Sequence, residues 1–387
     1  MKKILIFSTA YLPFVGGAEI AVKEITDRLS DFHFDMLTAR IDGNLFKKEK
    51  IGNVNVYRIG IGIPKIDKCS LAFFGHYFAQ ELHKKNSYNA IWAIMASFGG
   101  LAALQFKQKF PEIPYVLTLQ EGDPIEYIRS RAKWLGSYYQ AMFKKADFIT
   151  AISQYLKNYA TENGAKCEIE VVPNGVDLKK FQSKNEIDSR EKIQKIKEEL
   201  GIKPNEKIVI TVSRLVLKNG IEHLIEAFKY LPKTQEEKIV LMIIGSGPFE
   251  KKLKTKVENL RLKEKVLFLG NIPNEKVPKY LAISDIFVRP SLSEGLGNAF
   301  LEAMAVGVPI IGTPVGGILD FLKDGGTGLF CEPANPKSIA EKINILLTDE
   351  SLRQKLIQNG RKLVEEKYNW DLIAEKMRNI FNKLCEF

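Results

Sequence analysis

Two glutamates set eight apart, Glu294 and Glu302, stand in the stretch SEGLGNAFLEAMA at residues 293–305. Glycines fill the loop between them, and small helix-forming residues follow from Asn298 until Gly307 and Pro309 stop the run. A carboxylate accepts hydrogen bonds from paired sugar hydroxyls. The N–H groups of Gly297, Asn298 and Ala299 open a helix, where unpaired donors and the positive end of the dipole favour a phosphate. Glu302 lies about one turn into that helix, on the face of Asn298. Two acids flanking a phosphate site outline a ligand with a sugar ring on either side of a diphosphate. The plainer alternative is a solvated loop glutamate beside a surface helix glutamate. The coincidence of the acids with the glycines and the helix start weighs against it.

A second stretch, RLVLKNG at 214–220, follows the apolar run KIVITVS. Arg214 and Lys218 bracket a loop that leads into a helix. A forked guanidinium and a compact ammonium at a strand exit suit a diphosphate, although loops often carry such residues. A third, YLPFVGGAE at 11–19, puts Gly16 and Gly17 between a strand and a helix. It is not GxGxxG, so the dinucleotide fingerprint is absent. The glycine pair serves either a tight turn or close backbone approach to a phosphate or sugar. VVPNGVD and IIGSGP are further strand exits with glycines, readable as turns or as cleft edges.

These segments need elements to position them. Short apolar runs such as ILIFSTA, NAIWAIM, YVLTLQ, FITAIS and IEVVP alternate with helix-length segments, and a second series begins near residue 207. That alternation predicts parallel sheets covered on both faces. The expected organisation is α/β: two Rossmann-like, doubly wound domains facing a central cleft, over residues 1–180 and 195–368. A polar, charged stretch around 178–200 marks the boundary. Ligands of such sheets bind beyond the carboxyl ends of the strands.

The chain of 387 residues is 45% hydrophobic and 27% charged, ordinary for globular domains. Its net charge of +11 attracts polyanions or reflects a lysine-rich composition. Four scattered cysteines without CxxC spacing fit a reduced cytosol and no zinc site. The N-terminal MKKILIFSTAYLP imitates a signal peptide, but Pro13 and Glu19 break it, which favours a buried first strand. No stretch reaches the roughly 18–20 apolar residues of a membrane helix. The segments 68–85 and 127–146 mix aromatic with basic residues, so they serve either as inward-packed helices or as a peripheral contact with an anionic membrane.

Taken together, YLPFVGGAE, VVPNGVD, VSRLVLKNG, IIGSGP, ISDIFVRPSLSEGLGNAFLEAMAVGVPIIGTPVGG and GLFCEP resemble glycosyltransferase family 4, retaining nucleotide-sugar enzymes of GT-B fold. The resemblance spans nearly the whole chain, and its glutamate pair is the specific part. It implies that Glu294 contacts the donor sugar and supports the transition state, and that Glu302 holds the ribose. It implies that Arg214 and Lys218 bind the departing diphosphate, that Gly16 and Gly17 touch it from the other domain, and that Gly297, Asn298 and Ala299 line the donor site. The segment EKYNWDLIAEKM resembles the family's closing helix, which implies that a helix over about 370–387 returns to the first domain. One departure stands out. Many relatives carry a histidine after the strand that here reads YVLTL, whereas this chain has Gln120 and Glu121. Gln120 can exchange hydrogen bonds with a sugar but cannot be a general base. With no DxD motif, the expectation is a metal-independent transferase that uses no cofactor beyond its UDP- or GDP-linked sugar. It would act on a glycan or lipid-linked acceptor, in the cytoplasm or at the inner face of the membrane, with no nucleic-acid partner. A nucleotide-sugar epimerase of the same fold, or a non-catalytic sugar-nucleotide-binding subunit, remains open at this point.

Overall fold

The computed structural model describes residues 1–182, 190–232 and 239–386. It divides into two compact units, Met1–Asn174 with Trp370–Phe387, and Gly175–Asn369. Of the polar stretch expected between the domains, residues 183–189 lie outside the described residues, and Arg190–Glu199 is a largely exposed helix.

The first unit is built on eight strands: β1 (Lys2–Phe7), β2 (Phe32–Ala39), β3 (Lys48–Ile51), β4 (Val54–Ile59), β5 (Ala90–Ile94), β6 (Tyr115–Leu119), β7 (Phe148–Ala151) and β8 (Glu168–Val171). Their order is β3-β4-β2-β1-β5-β6-β7-β8, parallel except for the edge pair β3–β4. β5 and β6 are buried along their whole length, as unbroken apolar runs require when helices cover both faces. Ile4 and Ile6 point to one face, beneath the helices Gly17–Arg28 and Trp370–Leu384. On the other face Phe7 meets Phe106 of the helix Phe98–Lys109, with ring centroids 6.1 Å apart. Phe381, near the end of the last helix, lies 5.3 Å from Trp92, 5.8 Å from Phe32 and 6.3 Å from Phe34. The buried indole N–H of Trp92 donates to Thr118 Oγ1 at 2.7 Å, so the core holds a large aromatic without an orphaned donor.

The second unit has a six-stranded parallel sheet: β9 (Lys207–Val212), β10 (Ile239–Ile244), β11 (Val266–Gly270), β12 (Ile286–Arg289), β13 (Ile310–Gly312) and β14 (Leu329–Phe330). The order is β11-β10-β9-β12-β13-β14. In each sheet the chain winds outward one way from a central strand and then the other. The reversals fall at β1/β5 and at β9/β12, and at such points loops diverge above the strand ends.

Two residues of the first unit differ from what their types suggest. Asp67 starts the helix Pro64–Asn86 yet is fully buried, accepting the N–H groups of Ile61 (2.8 Å), Gly62 (2.7 Å) and Ile41 (3.1 Å). It ties two loops to one helix end. Asp67→Ala strands three part-buried donors and is expected to cost about 1–3 kcal/mol, read by chemical denaturation. A loss within experimental error of zero would mean that water replaces the carboxylate.

His83, near the end of the same helix, packs against Phe110 at 4.9 Å and Phe106 at 5.7 Å. Its Nδ1 accepts the N–H of Tyr88 at 3.1 Å, which only the neutral ring can do. Burial lowers its pKa, against a smaller opposing pull from Glu112. The folded value thus lies below the unfolded one, and protonation favours unfolding. This contribution is complete above about pH 6.5 and is lost as the pH falls through the folded pKa. The melting-temperature advantage of wild type over His83→Asn should therefore shrink between pH 7.5 and 5.5; a constant gap would contradict it.

Candidate functional site

In the second unit the chain leaves β9 at Ser213 and turns through Arg214 to Lys218 before the helix Ile221–Ala227. The turn is rigid: Asn219 Nδ2 donates to the Arg214 carbonyl at 2.6 Å, and so does the Val216 N–H at 3.0 Å. Arg214 is exposed and Lys218 half-buried. The neighbouring strand β12 leads into Pro290–Gly297 and the helix Asn298–Val306. The two loops are joined. The Leu292 N–H donates to the Lys218 carbonyl at 2.6 Å, and Gly220 (φ +66°) lies where any Cβ would run into the Pro290 carbonyl. The Arg–Lys loop and the glutamate loop therefore share one backbone scaffold at the β9/β12 reversal.

Glu294 is held at both ends. Its carbonyl accepts the Gly317 N–H at 3.1 Å, and Gly316 (φ +54°) packs so closely on that carbonyl that a Cβ does not fit. Its carboxylate pairs with Arg289, the last residue of β12, while Oε1 also accepts the Gly295 N–H at 3.2 Å. The helix that follows is capped by Gly297 (φ +98°), which contributes no side chain to its first N–H groups, and no acid stands in its first turn.

Glu302, one turn further, accepts a hydrogen bond from Asn274 Nδ2 at 3.3 Å. Asn274 Oδ1 in turn accepts from the Lys180 ammonium. Burial pushes the Glu302 carboxyl above its usual range, and the Asn274 hydrogen bond, Lys180 and Arg289 pull it back.

In the first unit Gly16 caps the helix Gly17–Arg28 in an extended conformation. The anion at that helix start is the chain's own Glu19, whose carboxylate accepts the N–H groups of Gly16 and Glu19 while burial raises its pKa. At the end of β6, Gln120 is buried and its Oε1 accepts from Asn174 Nδ2 at 3.0 Å. Glu121 Oε1 accepts the Ala96 N–H at 2.9 Å, and Oε2 is buried with no hydrogen-bond partner among the described residues. Burial raises the Glu121 pKa, opposed by the surrounding backbone N–H groups and reinforced by Asp123. Met95, at the end of the adjacent β5, takes φ +66°. Strained backbone of this kind, outside glycine, gathers at binding sites. Among the described residues no group of three or more His, Cys, Asp or Glu is placed to hold a metal ion.

A profile for glycosyl transferases group 1 matches residues 192–363, and one for Glycosyltransferase Family 4 matches residues 15–180. The chain is a family 4 glycosyltransferase. An uncharacterised glycosyltransferase of Methanocaldococcus jannaschii is 29% identical, with 99% of each chain covered. The fold is GT-B. Sucrose-phosphate synthase from Thermosynechococcus elongatus superposes with a TM-score of 0.85 at 23% identity, covering 99% of both chains. Anabaena HepE in complex with UDP-glucose gives 0.80 at 19% identity, covering 99% of this chain and 100% of that one.

Within its second unit this glycosyltransferase brings Arg214, Lys218, Glu294, Gly297, Asn298, Ala299 and Glu302 onto two joined loops and one helix. Gly16, Gly17, Gln120 and Glu121 belong to strand exits of the first unit. Four neighbours escape the sequence reading. Arg289 left a signal: it is a charge ending an apolar strand, with an acid five residues on. Asn174 stands in a segment read as either a turn or a cleft edge. Lys180 and Asn274 are 94 residues apart, and no spacing rule joins them.

Proposed function

We propose that this glycosyltransferase moves a sugar from a nucleoside-diphosphate sugar, UDP- or GDP-linked, to a hydroxyl of a glycan or lipid-linked acceptor, with retention at the anomeric carbon and no metal. One observation carries the reading. Arg214 and Lys218 share a scaffold with Glu294 at the strand reversal, and Glu302 lies one turn beyond the uncapped helix start. Cationic groups and helix N–H donors there suit a diphosphate, and the two carboxylates suit sugar hydroxyls on either side of it. UDP-glucose bound to HepE supports the donor class.

In the proposed reaction the bond from the anomeric carbon to the diphosphate oxygen breaks, and a bond to the acceptor oxygen forms on the same face. The acceptor proton passes to the departing diphosphate, so no side chain need act as base. Arg214, Lys218 and the first N–H groups of the helix Asn298–Val306 offset the growing negative charge. Glu294 orients the donor sugar, and Glu302 holds the ribose. Gly16 and Gly17 offer backbone to the diphosphate, where Glu19 must yield, and Gln120 with Glu121 positions the transferred sugar.

The test is donor hydrolysis with EDTA present, over a panel of UDP-, GDP- and ADP-sugars, followed by the anomeric configuration of the product. Release from one donor, undiminished by EDTA, with retained configuration, is expected. A need for added divalent metal overturns metal independence. An inverted product overturns retention, and failure to bind any nucleoside diphosphate overturns the donor class.

We further propose that the enzyme works in the cytoplasm at an anionic membrane surface. No helix among the described residues is long and apolar enough to cross a membrane. The helix Pro64–Asn86, however, is apolar on both sides. Leu71, Ala72 and Ala79 are buried, while Phe73, Phe74, Tyr77 and Phe78 are each about half exposed. Trp134, also half exposed, lies 6.2 Å from Phe73, so the two aromatic-basic segments meet. Co-sedimentation with anionic vesicles at low salt is expected, and Phe74→Ser with Phe78→Ser should weaken it at least about tenfold. Absence of binding by wild type sinks this part.

A further inference from the structure

We infer that Arg289 is a positioning residue for Glu294, fixing the direction in which its carboxylate meets the donor; this rests on the proposed contact between Glu294 and the donor sugar. Arg289 ends a strand whose other members, Ile286, Phe287 and Val288, are fully buried. β12 lies between β9 and β13, and the side chain of Arg289 is only 7% exposed. A charge in such a place is costly unless paired, and an aliphatic residue fills the strand at lower cost. The guanidinium therefore needs a reason to be there.

Its contacts supply one. Nη2 donates to Glu294 Oε2, Nη1 reaches only weakly to the Val212 carbonyl at 3.5 Å, and the plane lies over the Phe300 ring at 4.8 Å. Nε has no acceptor among the described residues. Among the described residues, the close ion pair of Arg289 is to Glu294, and its Nε hydrogen goes unused. The surroundings are shaped around that pair. A Cβ at Gly297 stands 2.8 Å from Arg289 Nη2 and 3.3 Å from Glu294 Cγ, so only glycine at the helix cap leaves the pair room. With Oε2 on Arg289 and Oε1 on the Gly295 N–H, the carboxylate is held at both oxygens, yet each keeps a lone pair for a sugar hydroxyl. Arg289 thus removes the orientational freedom that Glu294 would otherwise lose on reaching the transition state.

A double-mutant cycle tests this, using the full chain, its hydrolysable donor and the matching nucleoside diphosphate. Arg289→Met is expected to lower kcat about 10- to 100-fold while the nucleoside-diphosphate Kd stays within about threefold. Arg289→Lys, which keeps the charge but not the fork, should recover part of the loss and serves in its place if the Met variant does not fold. In a Glu294→Gln background the Arg289 substitution should change kcat less than about twofold, because its effect runs through Glu294. An equal kcat loss in both backgrounds overturns the inference. So does an effect confined to nucleotide affinity or melting temperature, which marks a structural residue only. Wild-type kcat in Glu294→Gln alone overturns the assignment of Glu294, on which the inference stands.

Discussion

Arg214→Ala and Lys218→Ala are each expected to lower kcat/KM for the donor about 10²-fold, and the pair together by less than the product of the two. Removing one preorganised charge donor from a transition state costs on the order of 10²–10³. Both cations are assigned to the same diphosphate, so their contributions overlap and cannot simply add. Charge grows on the diphosphate as the sugar departs, so kcat should fall more than affinity for the free nucleoside diphosphate. Steady-state release of nucleoside diphosphate, set beside its Kd by calorimetry, separates the two. Unchanged kcat in the double variant means that the leaving group is stabilised elsewhere, and the site assignment fails.

The two glutamates should divide the remaining effects. Glu294→Ala is expected to lower kcat about 10²-fold or more with near-normal nucleoside-diphosphate binding, because its proposed partner is the transferred sugar. Glu302→Ala should instead weaken nucleotide binding about 10- to 100-fold, as loss of a hydrogen bond to a charged group predicts. Its pH dependence adds a second reading. Burial raises the Glu302 pKa, so the ionised form that accepts ribose hydroxyls is lost at a higher pH than for an ordinary carboxylate near 4.3. Donor affinity should decline as the pH falls toward that raised value, and Glu302→Gln should flatten this limb. An unchanged limb in the Gln variant assigns it to another group.

What the sequence made legible, and what it hid, follows from the range of the interactions. β5 and β6 are readable because strands buried on both faces need unbroken apolar runs. β2 is not, because FHFDMLTA carries His33 and Asp35 in its middle. Asp35 is fully buried, and beside its strand neighbour His33 (Nε2 at 3.0 Å) its partners are distant: Tyr88 OH at 2.5 Å, Asn86 Nδ2 at 2.8 Å and Asn55 Nδ2 at 2.9 Å. A polar residue satisfied from two other segments looks, in one dimension, like a turn. The donor-side motifs were legible for the opposite reason. Gly297 takes a positive φ beside Arg289, Glu294 and Phe300, all within eight residues of it, and Gly220 takes its positive φ at the end of its own loop, so these signals stay near them in the chain. The pairing of Lys180 with Asn274 is purely topological. It exists because the chain entering the second unit passes the exit of β11, and no local pattern encodes that.

The helix Trp370–Leu384 completes the core of the first unit, where Phe381 closes over Phe32, Phe34 and Trp92. On the ribosome, then, the first unit to be synthesised is the second to be finished. Its sheet must wait, with an aromatic face uncovered, while some 195 intervening residues emerge as the contiguous Gly175–Asn369 unit, which can close by itself. Nascent chains stalled before residue 370 should bind chaperones that recognise apolar surface and should release them once residue 384 clears the exit tunnel. By the same logic a peptide carrying residues 370–386, supplied in trans, should rescue a chain that stops at Asn369.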